Sequence, residues 1–300
     1  MATLYLLHNG IDDEGLHALV AGLINCRNLT SLYLSGNELI TEAGLRSLST
    51  LLQSDHCRLE CLDLDGFNID NDGAAVLSAG LGRLPRLKTL YLANNSIGDQ
   101  GLQYLVGGLV NCNLEQLILS TNLCSLSGHR SLGTLVQRVT SLKSLNLCGN
   151  TIDDEGLQGL VEGMTNYCSL QTLYLSDNHL ITAVGLRTLP AFFQSDNCCL
   201  KELWLFGINF GDDGAVALAN GLIGNESLIN LRFDWSGITA RGWAAFSKLL
   251  CDTSSVNNTY LSNHTLVEIG GFSNVGNPST ILEYLMLNKL QNCAAAICKL

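Results

Sequence analysis

Leucine recurs along the chain in one pattern, L-x-x-L-x-L-x-x-N-x-L, with polar residues between the leucines. A clear copy runs from Leu170 through LQTLYLSDNHL. Copies follow one another about every 28 residues, a period typical of chains that stack one supersecondary unit on the next. The copies begin at Met1, Leu29, Leu59, Leu87, Leu114, Leu142, Leu170, Leu200 and Leu228, and a degraded tenth begins at Val256.

Each copy predicts a short strand followed by a helix. In Leu173-Tyr174-Leu175 the two leucines fall on one face, as in a strand that buries one side. The residues that follow, such as Leu186, Leu189 and Phe193, recur at spacings near three and four, which predicts an amphipathic helix. A glycine precedes each predicted helix, where the loop approaches it tightly. The pattern therefore predicts an α/β fold of repeated strand–helix coils.

An asparagine stands eight residues after the start of six copies. Buried amides need hydrogen-bond partners, so we expect these side chains to bond the backbone of their own loop and of the neighbouring coil. The predicted asparagine ladder comprises Asn9, Asn37, Asn95, Asn122, Asn150 and Asn178. Phe67 and Ile208 occupy this slot in two other copies, which share a variant turn.

A second, longer period indicates an internal duplication. The sequence IDDEGL at 11–16 recurs at 152–157, which is 141 positions later. The sequence LYLS at 32–35 recurs at 173–176 with the same offset. A duplicated block of five copies accounts for both matches.

Together these features resemble the leucine-rich repeat family, and the copy length with a full helix resembles its ribonuclease-inhibitor type. The resemblance covers residues 1–255. It implies a curved solenoid, or horseshoe, with a parallel β-sheet on the concave face and helices on the convex face. We expect residues 256–300 to hold the degraded tenth copy, with a strand around Tyr260 and Leu261, and a C-terminal capping helix. The family mostly binds other macromolecules, proteins above all.

Composition narrows the function further. The net charge of −11 argues against nucleic acid or an anionic membrane as the partner, because both favour a basic surface. No stretch approaches the 18 apolar residues of a membrane helix. The absence of a leader favours a cytoplasmic protein. An alternative stays open: the first copy has no polar cap, so the chain could be a fragment of a longer protein.

The residues that usually carry chemistry form no recognisable constellation. The six histidines share no spacing typical of a metal site or a triad, and the twelve cysteines favour reduced thiols in packed repeat positions. We predict no catalytic residue, no metal site and no cofactor. Acidic residues such as Asp12 and Asp13 stand before the helices. They are interpreted as helix N-caps, or else as an acidic rim that attracts a basic partner.

The position between the last two leucines of each copy points away from the core. Aromatic residues and arginine at such positions are typical of interface hot spots, although tyrosine also suits any strand surface. The predicted partner-binding residues are Tyr33, Tyr91, Tyr174, Trp204, Phe206, Arg232, Asp234 and Trp235. Most of them cluster in the seventh to ninth copies.

The sequence thus favours a non-enzymatic scaffold that binds a protein partner on the concave sheet. One alternative is a regulatory protein that acts on an enzyme, either as a small-GTPase activator or as an inhibitor. Another is a sensor fragment of a larger immune-type receptor, which an upstream nucleotide-binding segment would support. Self-association through the uncapped N-terminal copy is also open.

Overall fold

The computed structural model describes residues 2–124, 131–166, 169–234, 236–260, 262–270 and 279–289. The chain forms two compact units, unit 1 (Met1–Asn150) and unit 2 (Thr151–Leu300). Within each unit, short strands alternate with helices, and we call each strand with its helix a coil. The α/β fold class with a parallel sheet is confirmed.

In the described residues of unit 1, six strands pair in parallel in chain order. Its elements are β1 (Ala2–Tyr5), α1 (Asp13–Leu23), β2 (Leu29–Tyr33), α2 (Glu42–Leu52), β3 (Cys61–Asp63), α3 (Asn71–Leu81), β4 (Thr89–Tyr91), α4 (Asp99–Leu109), β5 (Gln116–Ile118), α5 (Ser131–Arg138) and β6 (Ser144–Asn146).

Unit 2 has a parallel sheet in the order β7, β8, β9, β10. Its elements are α6 (Asp154–Asn166), β7 (Thr172–Tyr174), α7 (Ala183–Leu186), α8 (Leu189–Phe193), β8 (Glu202–Trp204), α9 (Gly211–Gly221), β9 (Asn230–Arg232), α10 (Ala240–Leu250), α11 (Val256–Tyr260), β10 (Glu268–Ile269) and α12 (Ser279–Lys289).

The prediction of a strand around Tyr260 is wrong. The backbone there forms α11, because the Ser255 hydroxyl accepts a hydrogen bond from the Asn258 N–H at 3.1 Å and starts a helical turn. The strand that pairs with β9 is β10, some residues later. Leu261 lies outside the described residues. Beyond β10, α12 contacts α10, and the Asn288 amide donates to the Leu266 carbonyl at 2.6 Å.

Leucines from the strands fill the core between sheet and helices. Leu32, Leu62 and Leu90 are in register on adjacent strands of unit 1 and are fully buried. In unit 2, Leu173 and Leu203 occupy the same positions. Burial of apolar side chains is the main favourable contribution to folding, so this column of leucines accounts for the stacking of the coils.

Asparagine side chains bond one coil to the next. The Asn95 carbonyl oxygen accepts from the N–H groups of Phe67 and Ile69 at 3.0 and 2.9 Å. Its amide nitrogen donates to the Leu64 and Leu92 carbonyls. The side chains that accept from the preceding coil in the same way are those of Asn37, Asn122, Asn150 and Asn178. Asn9, in the first coil, is exposed and donates to the Leu7 carbonyl at 3.0 Å.

A second set of bonds joins each helix to the next. The Asp13 carboxylate, in the first turn of α1, accepts from the Thr41 N–H at 2.8 Å, the Thr41 hydroxyl at 2.6 Å and the Gly44 N–H at 2.9 Å. It therefore caps α2, the helix of the following coil. We call this arrangement an inter-coil cap. The Thr41 hydroxyl is the main cause that holds the pKa of Asp13 below its usual value.

The inter-coil cap recurs along the chain. Asp154 makes the corresponding bonds to Thr182 and Gly185, and Asp212 to Thr239 and Gly242. The neutral Asn71 caps α4 through the N–H groups of Gly98 and Gly101, both at 2.9 Å. The interpretation of the acids as local N-caps holds for Asp12, Asp70 and Asp153, which bond within their own helix.

These bonds revise the explanation of the repeated glycine. Gly44 lies in the first turn of α2, not before it. A Cβ atom there would lie 2.4 Å from the Asp13 carboxylate. Gly185 stands in the same relation to Asp154, at 2.5 Å. At these two positions glycine is required because a carboxylate of the preceding coil reaches the helix backbone.

We expect Leu175→Ala to lower the free energy of unfolding by about 2–5 kcal/mol, because it removes a fully buried side chain and leaves a cavity. The matched control is Leu180→Ala, since Leu180 is 58% exposed and nearby in sequence. Urea unfolding followed by circular dichroism measures both. Equal effects from the two substitutions would refute the assignment of leucines to core and surface.

Two glycines of α4 give a sharper test of the inter-coil cap. A Cβ at Gly101 would lie 2.7 Å from the Asn71 side-chain oxygen and 3.1 Å from the Asn71 Cα, whereas a Cβ at Gly107 meets nothing within 4 Å. We expect Gly101→Ala to destabilise by about 1–3 kcal/mol. Gly107→Ala should stabilise by about 0.5–1 kcal/mol, as alanine favours a helix interior. Stabilisation by both would show that the close approach is tolerated.

Candidate functional site

The candidate site lies on the sheet face, which we define as the side of each unit's sheet opposite the helices. Side chains alternate along a strand, so the residues flanked by buried leucines point to this face. Tyr33 and Tyr91 in unit 1, and Tyr174 and Trp204 in unit 2, are half-buried there. Trp235, also predicted to bind a partner, lies outside the described residues.

Three aromatic rings form a continuous cluster on the sheet face of unit 2. The rings of Tyr174 and Trp204 lie 5.1 Å apart between centroids and are tilted by 51°. The rings of Trp204 and Phe206 lie 5.6 Å apart, edge to face. We call these three residues the aromatic cluster. Such contacts fix each ring against its neighbours while leaving part of its surface open.

Arg232 supports the aromatic cluster and does not stand free on the face. Its guanidinium lies 5.0 Å from the centroid of the Trp204 ring, within cation–π range. It also forms an ion pair with Glu268 of β10, and its side chain is only 16% exposed. The Trp204 indole N–H donates to Glu202 at 3.3 Å. Arg232 and Glu202 therefore hold Trp204 in place.

Asp234 lies on the same face, two residues after Arg232. Its carboxylate accepts a hydrogen bond from the Gly207 N–H at 3.2 Å, and the side chain is half-buried. This bond joins the turn after β8 to the next coil. Asp234 thus has a structural contact in addition to its place beside the aromatic cluster.

Tyrosines also contact one another on the sheet face of unit 1. The rings of Tyr5 and Tyr33 stack with centroids 4.8 Å apart and planes 13° apart. The Cys61 thiol donates to the Tyr33 hydroxyl at 3.4 Å. This contact, with burial, raises the pKa of Tyr33. Burial also raises the pKa of Tyr91, so both phenols are neutral at physiological pH.

Asp63 lies between Tyr33 and Tyr91 of the adjacent strands, and Asp65 follows two residues later. The sequence prediction did not include either aspartate among the partner-binding residues. Asp63 is 7% exposed, although its position was predicted to point outward. The Asp65 N–H donates to Asp63 at 3.1 Å, and the Asp65 carboxylate accepts from the Ala93 N–H at 2.6 Å. Burial raises the pKa of Asp65 to about 6, and the charge of Asp63 adds to the effect. The alternation Leu62-Asp63-Leu64-Asp65 is the sequence signal for this pair.

The 141-residue offset relates the two sheet faces position by position. Strand β3 (Cys61–Asp63) corresponds to β8 (Glu202–Trp204), and β4 (Thr89–Tyr91) corresponds to β9 (Asn230–Arg232). Each pair of strands thus has the same bounds once 141 is added to the first. The side chains on the face nevertheless differ in chemistry. The corresponding residues are Tyr33 and Tyr174, Asp63 and Trp204, Asp65 and Phe206, and Tyr91 and Arg232.

The described part of the chain shows neither a metal-binding cluster nor a membrane-spanning helix. No group of three or more histidine, cysteine, aspartate or glutamate residues in this part of the chain is arranged to hold a metal ion. None of the helices in the described ranges is long and apolar enough to cross a membrane.

Known proteins share the repeat at the level of sequence. The family described as "Leucine Rich repeat" matches residues 2–20, 25–49, 84–106, 140–161, 168–189 and 196–219. Ribonuclease inhibitor of Sus scrofa is 29% identical over 265 residues, which cover 87% of this chain and 58% of the inhibitor. Ribonuclease inhibitor of Mus musculus is 29% identical over 293 residues, which cover 95% of this chain and 63% of the inhibitor. The chain is a leucine-rich repeat protein of the ribonuclease-inhibitor type.

Larger proteins carry similar repeats. NACHT, LRR and PYD domains-containing protein 12 of Mus musculus is 31% identical over 266 residues, or 87% of this chain and 25% of that protein. This leucine-rich repeat chain thus spans less than two thirds of the length of each of these three relatives. The repeats indicate a protein-interaction scaffold.

Asp65 offers a test of the electrostatics of the leucine-rich repeat face. Its folded-state pKa, about 6, lies above the ordinary value of 3.8, so the folded state binds the proton more tightly. Stability should therefore fall as pH rises from about 4 to about 6. Asp65→Asn keeps an acceptor for Ala93 and should stabilise by on the order of 1 kcal/mol at pH 7.5, a value already reduced for solvent screening.

At pH 4 the same substitution should have little effect, because the carboxyl is then largely protonated. Thermal unfolding at both pH values measures the difference. The control is Asp55→Asn, a substitution at an exposed residue of the same unit. A stabilisation by Asp65→Asn that does not depend on pH would contradict the assignment.

Proposed function

We propose that this leucine-rich repeat chain is a non-enzymatic scaffold that holds a protein partner on its sheet face, with the aromatic cluster of unit 2 as the anchor. The observation that carries the proposal is the contiguous contact of Tyr174, Trp204 and Phe206 on one half-buried surface. Tyrosine and tryptophan supply large contact areas at low cost in side-chain entropy, and they are enriched among hot spots.

The residues around the cluster reduce the cost of binding. Arg232 and Glu268 pair with each other, and Glu202 accepts from Trp204, so the central ring is ordered before any partner arrives. Ordering rotamer-rich side chains costs about 0.5–1.5 kcal/mol each on association. A cluster that is already ordered avoids much of this cost.

Charge favours a basic partner. The chain carries a net charge of −11, and Asp63 and Asp65 on the unit 1 face are among the acidic residues that contribute to it. Complementary charge mainly accelerates encounter and excludes wrong partners. We therefore infer a partner with a basic contact surface, whose association slows as ionic strength rises.

The experiment compares wild type with a Trp204→Ala/Phe206→Ala variant. Partners are first captured from native cell extract and identified by mass spectrometry, and their affinities are then measured with purified proteins. The matched control is Tyr104→Ala, which removes a 41% exposed aromatic residue from helix α4. We expect the double variant to lose at least about 30-fold in affinity, as for a hot spot of 2 kcal/mol. If wild type, the double variant and Tyr104→Ala bound the partner with equal affinity, the aromatic cluster would not be the anchor.

A second candidate function is inhibition of a ribonuclease. It is supported by the 29% identity to the ribonuclease inhibitors of Sus scrofa and Mus musculus. A purified ribonuclease is assayed on RNA with increasing amounts of the chain. Stoichiometric loss of hydrolysis would support inhibition, and unchanged hydrolysis at saturating concentration would exclude it for that enzyme. The similarity to a NACHT protein keeps the sensor-fragment alternative open.

A further inference from the structure

We propose that unit 1 holds a site for the phosphate group of a phosphate monoester, in a cavity lined by Arg58, Arg83 and Arg86. We call this cavity the arginine pocket. A phosphorylated protein side chain and a free phosphorylated small molecule both present this group, and the experiment distinguishes the two sources. The arginine pocket does not depend on the proposed function, because it uses neither the sheet face nor the aromatic cluster.

Two loops of neighbouring coils form the arginine pocket. Residues 53–60 join α2 to β3, and residues 82–88 join α3 to β4. Arg58 lines the cavity from the first loop and Arg83 and Arg86 line it from the second, and its volume is about 210 Å³. Pockets that enclose a whole drug-sized ligand measure roughly 300–1,000 Å³. The arginine pocket is smaller, and therefore suits one ionic end group of a ligand.

The charge of the arginine pocket complements a phosphate monoester. Three guanidinium groups and the Asp55 carboxylate line it, so three positive charges and one negative charge leave a local net charge of +2. The chain as a whole carries −11. A phosphate monoester carries about −1.5 to −2 at pH 7, whereas a carboxylate ligand offers a single negative charge. Planar guanidinium groups also donate paired hydrogen bonds to phosphate oxygens.

The three arginines are not consumed by ion pairs within the protein. In the described residues of unit 1, the ion pairs are made by other cations, namely Arg46, Lys88 and Lys143. The Arg58 Nη1 group donates to the backbone carbonyls of Asp55 and Cys57 at 2.7 and 3.0 Å. These two bonds order one guanidinium of the pocket, and a guanidinium carries further N–H groups for a ligand.

The nearest acidic competitor already has a partner. The hydrogen bond from Lys88 is the main cause that holds the pKa of Glu60 below its usual value, and the charge of Arg86 adds a smaller effect. Glu60 thus pairs with Lys88 at 2.8 Å. Arg86 lies close enough to act on Glu60 through its charge but is not its hydrogen-bond partner.

The corresponding place in unit 2 separates the arginines from the fold. At the 141-residue offset, Gln53-Ser54-Asp55 recurs as Gln194-Ser195-Asp196, and the recurring residues also line a cavity. The arginines do not recur, because their positions are taken by Cys199, Gly224 and Ser227. The coils therefore form a cavity here without arginine, and the basic lining of unit 1 calls for another explanation.

Helix dipoles account for only part of the cluster. Arg83 follows directly after the C-cap of α3, Gly82, where a cation complements the negative end of the helix. The dipole acts within about the last turn of a helix, and Arg58 and Arg86 lie further along their loops. The convergence of all three on one cavity is explained by an anionic ligand.

The test is a titration of the full chain, labelled with nitrogen-15, with acetyl-Gly-phosphoserine-Gly-amide at pH 7.5 and low salt. Inorganic phosphate is titrated separately, and matched peptides carry serine or glutamate in place of phosphoserine. We expect saturable shifts of the Arg58, Arg83 and Arg86 amide signals with both phosphate ligands, weaker ones with glutamate and none with serine. Equal response to the glutamate and phosphoserine peptides, shifts confined to other residues, or no shifts would overturn the arginine pocket.

The two phosphate ligands distinguish the sources of the group. If the phosphoserine peptide binds at least about 10-fold more tightly than inorganic phosphate, contacts to the peptide add to those of the phosphate, which supports a phosphorylated protein. Equal or weaker binding of the peptide supports a free small molecule.

A pair of double variants assigns the effect to the arginine pocket. Arg83→Gln/Arg86→Gln alters two exposed side chains, so the fold should persist, and thermal unfolding checks it. We expect it to weaken phosphate binding at least about 10-fold, because it removes two charged donors. Arg46→Gln/Arg138→Gln removes the same charge from exposed helix positions of unit 1 and should leave the affinity unchanged. Equal weakening by both double variants would show a general charge effect and refute the pocket.

Discussion

Hydrogen bonds from a side chain of one coil to the backbone of its neighbour are the constraint on which this structure depends. A strand of three residues and one helix cannot bury an apolar face alone, so each coil needs the next. Asn95 satisfies N–H groups of the preceding coil, and Asp13 satisfies those at the start of the following helix. Both act where the chain leaves regular structure and its backbone would otherwise lack partners. The glycine of the first helical turn follows from the second bond, since the carboxylate occupies the space of a Cβ atom.

Much of this fold could be predicted because leucine spacing reports burial directly. The period set the number of coils, and the alternation in Leu173-Tyr174-Leu175 identified both the strand and its exposed face. The inter-coil cap could not be predicted, because Asp12 and Asp13 are adjacent in sequence and equally suited to a local N-cap, yet only Asp12 caps its own helix. The prediction of a strand near Tyr260 was wrong for a related reason. Beyond the ninth copy the leucine pattern decays, and a serine hydroxyl starts a helical turn instead.

The candidate site was predictable in position but not in its contacts. Alternation placed Trp204, Phe206 and Arg232 on one face, but the partner of Arg232 is Glu268, which belongs to a strand outside the regular repeat. An arginine expected to meet a protein partner is therefore engaged inside the chain. Asp63 shows the opposite error. Its position faces outward between Tyr33 and Tyr91 of the adjacent strands, yet the residue is only 7% exposed. Exposure on a sheet face depends on the neighbours across the strands, which a single repeat does not reveal.

The duplication separates what holds the chain together from what its surface offers. At the 141-residue offset the inter-coil cap of Asp13 and Thr41 recurs as Asp154 and Thr182, with nearly the same bond lengths. On the sheet face, by contrast, Asp63 corresponds to Trp204, and Tyr91 to Arg232. The face tolerates a change of chemical class because its side chains project away from the leucine core. Burial raises the pKa of Asp65, which means that its charge opposes folding. The Ala93 N–H donates to this carboxylate and offsets part of that cost, so the bond between coils persists on a face whose chemistry differs between the two units.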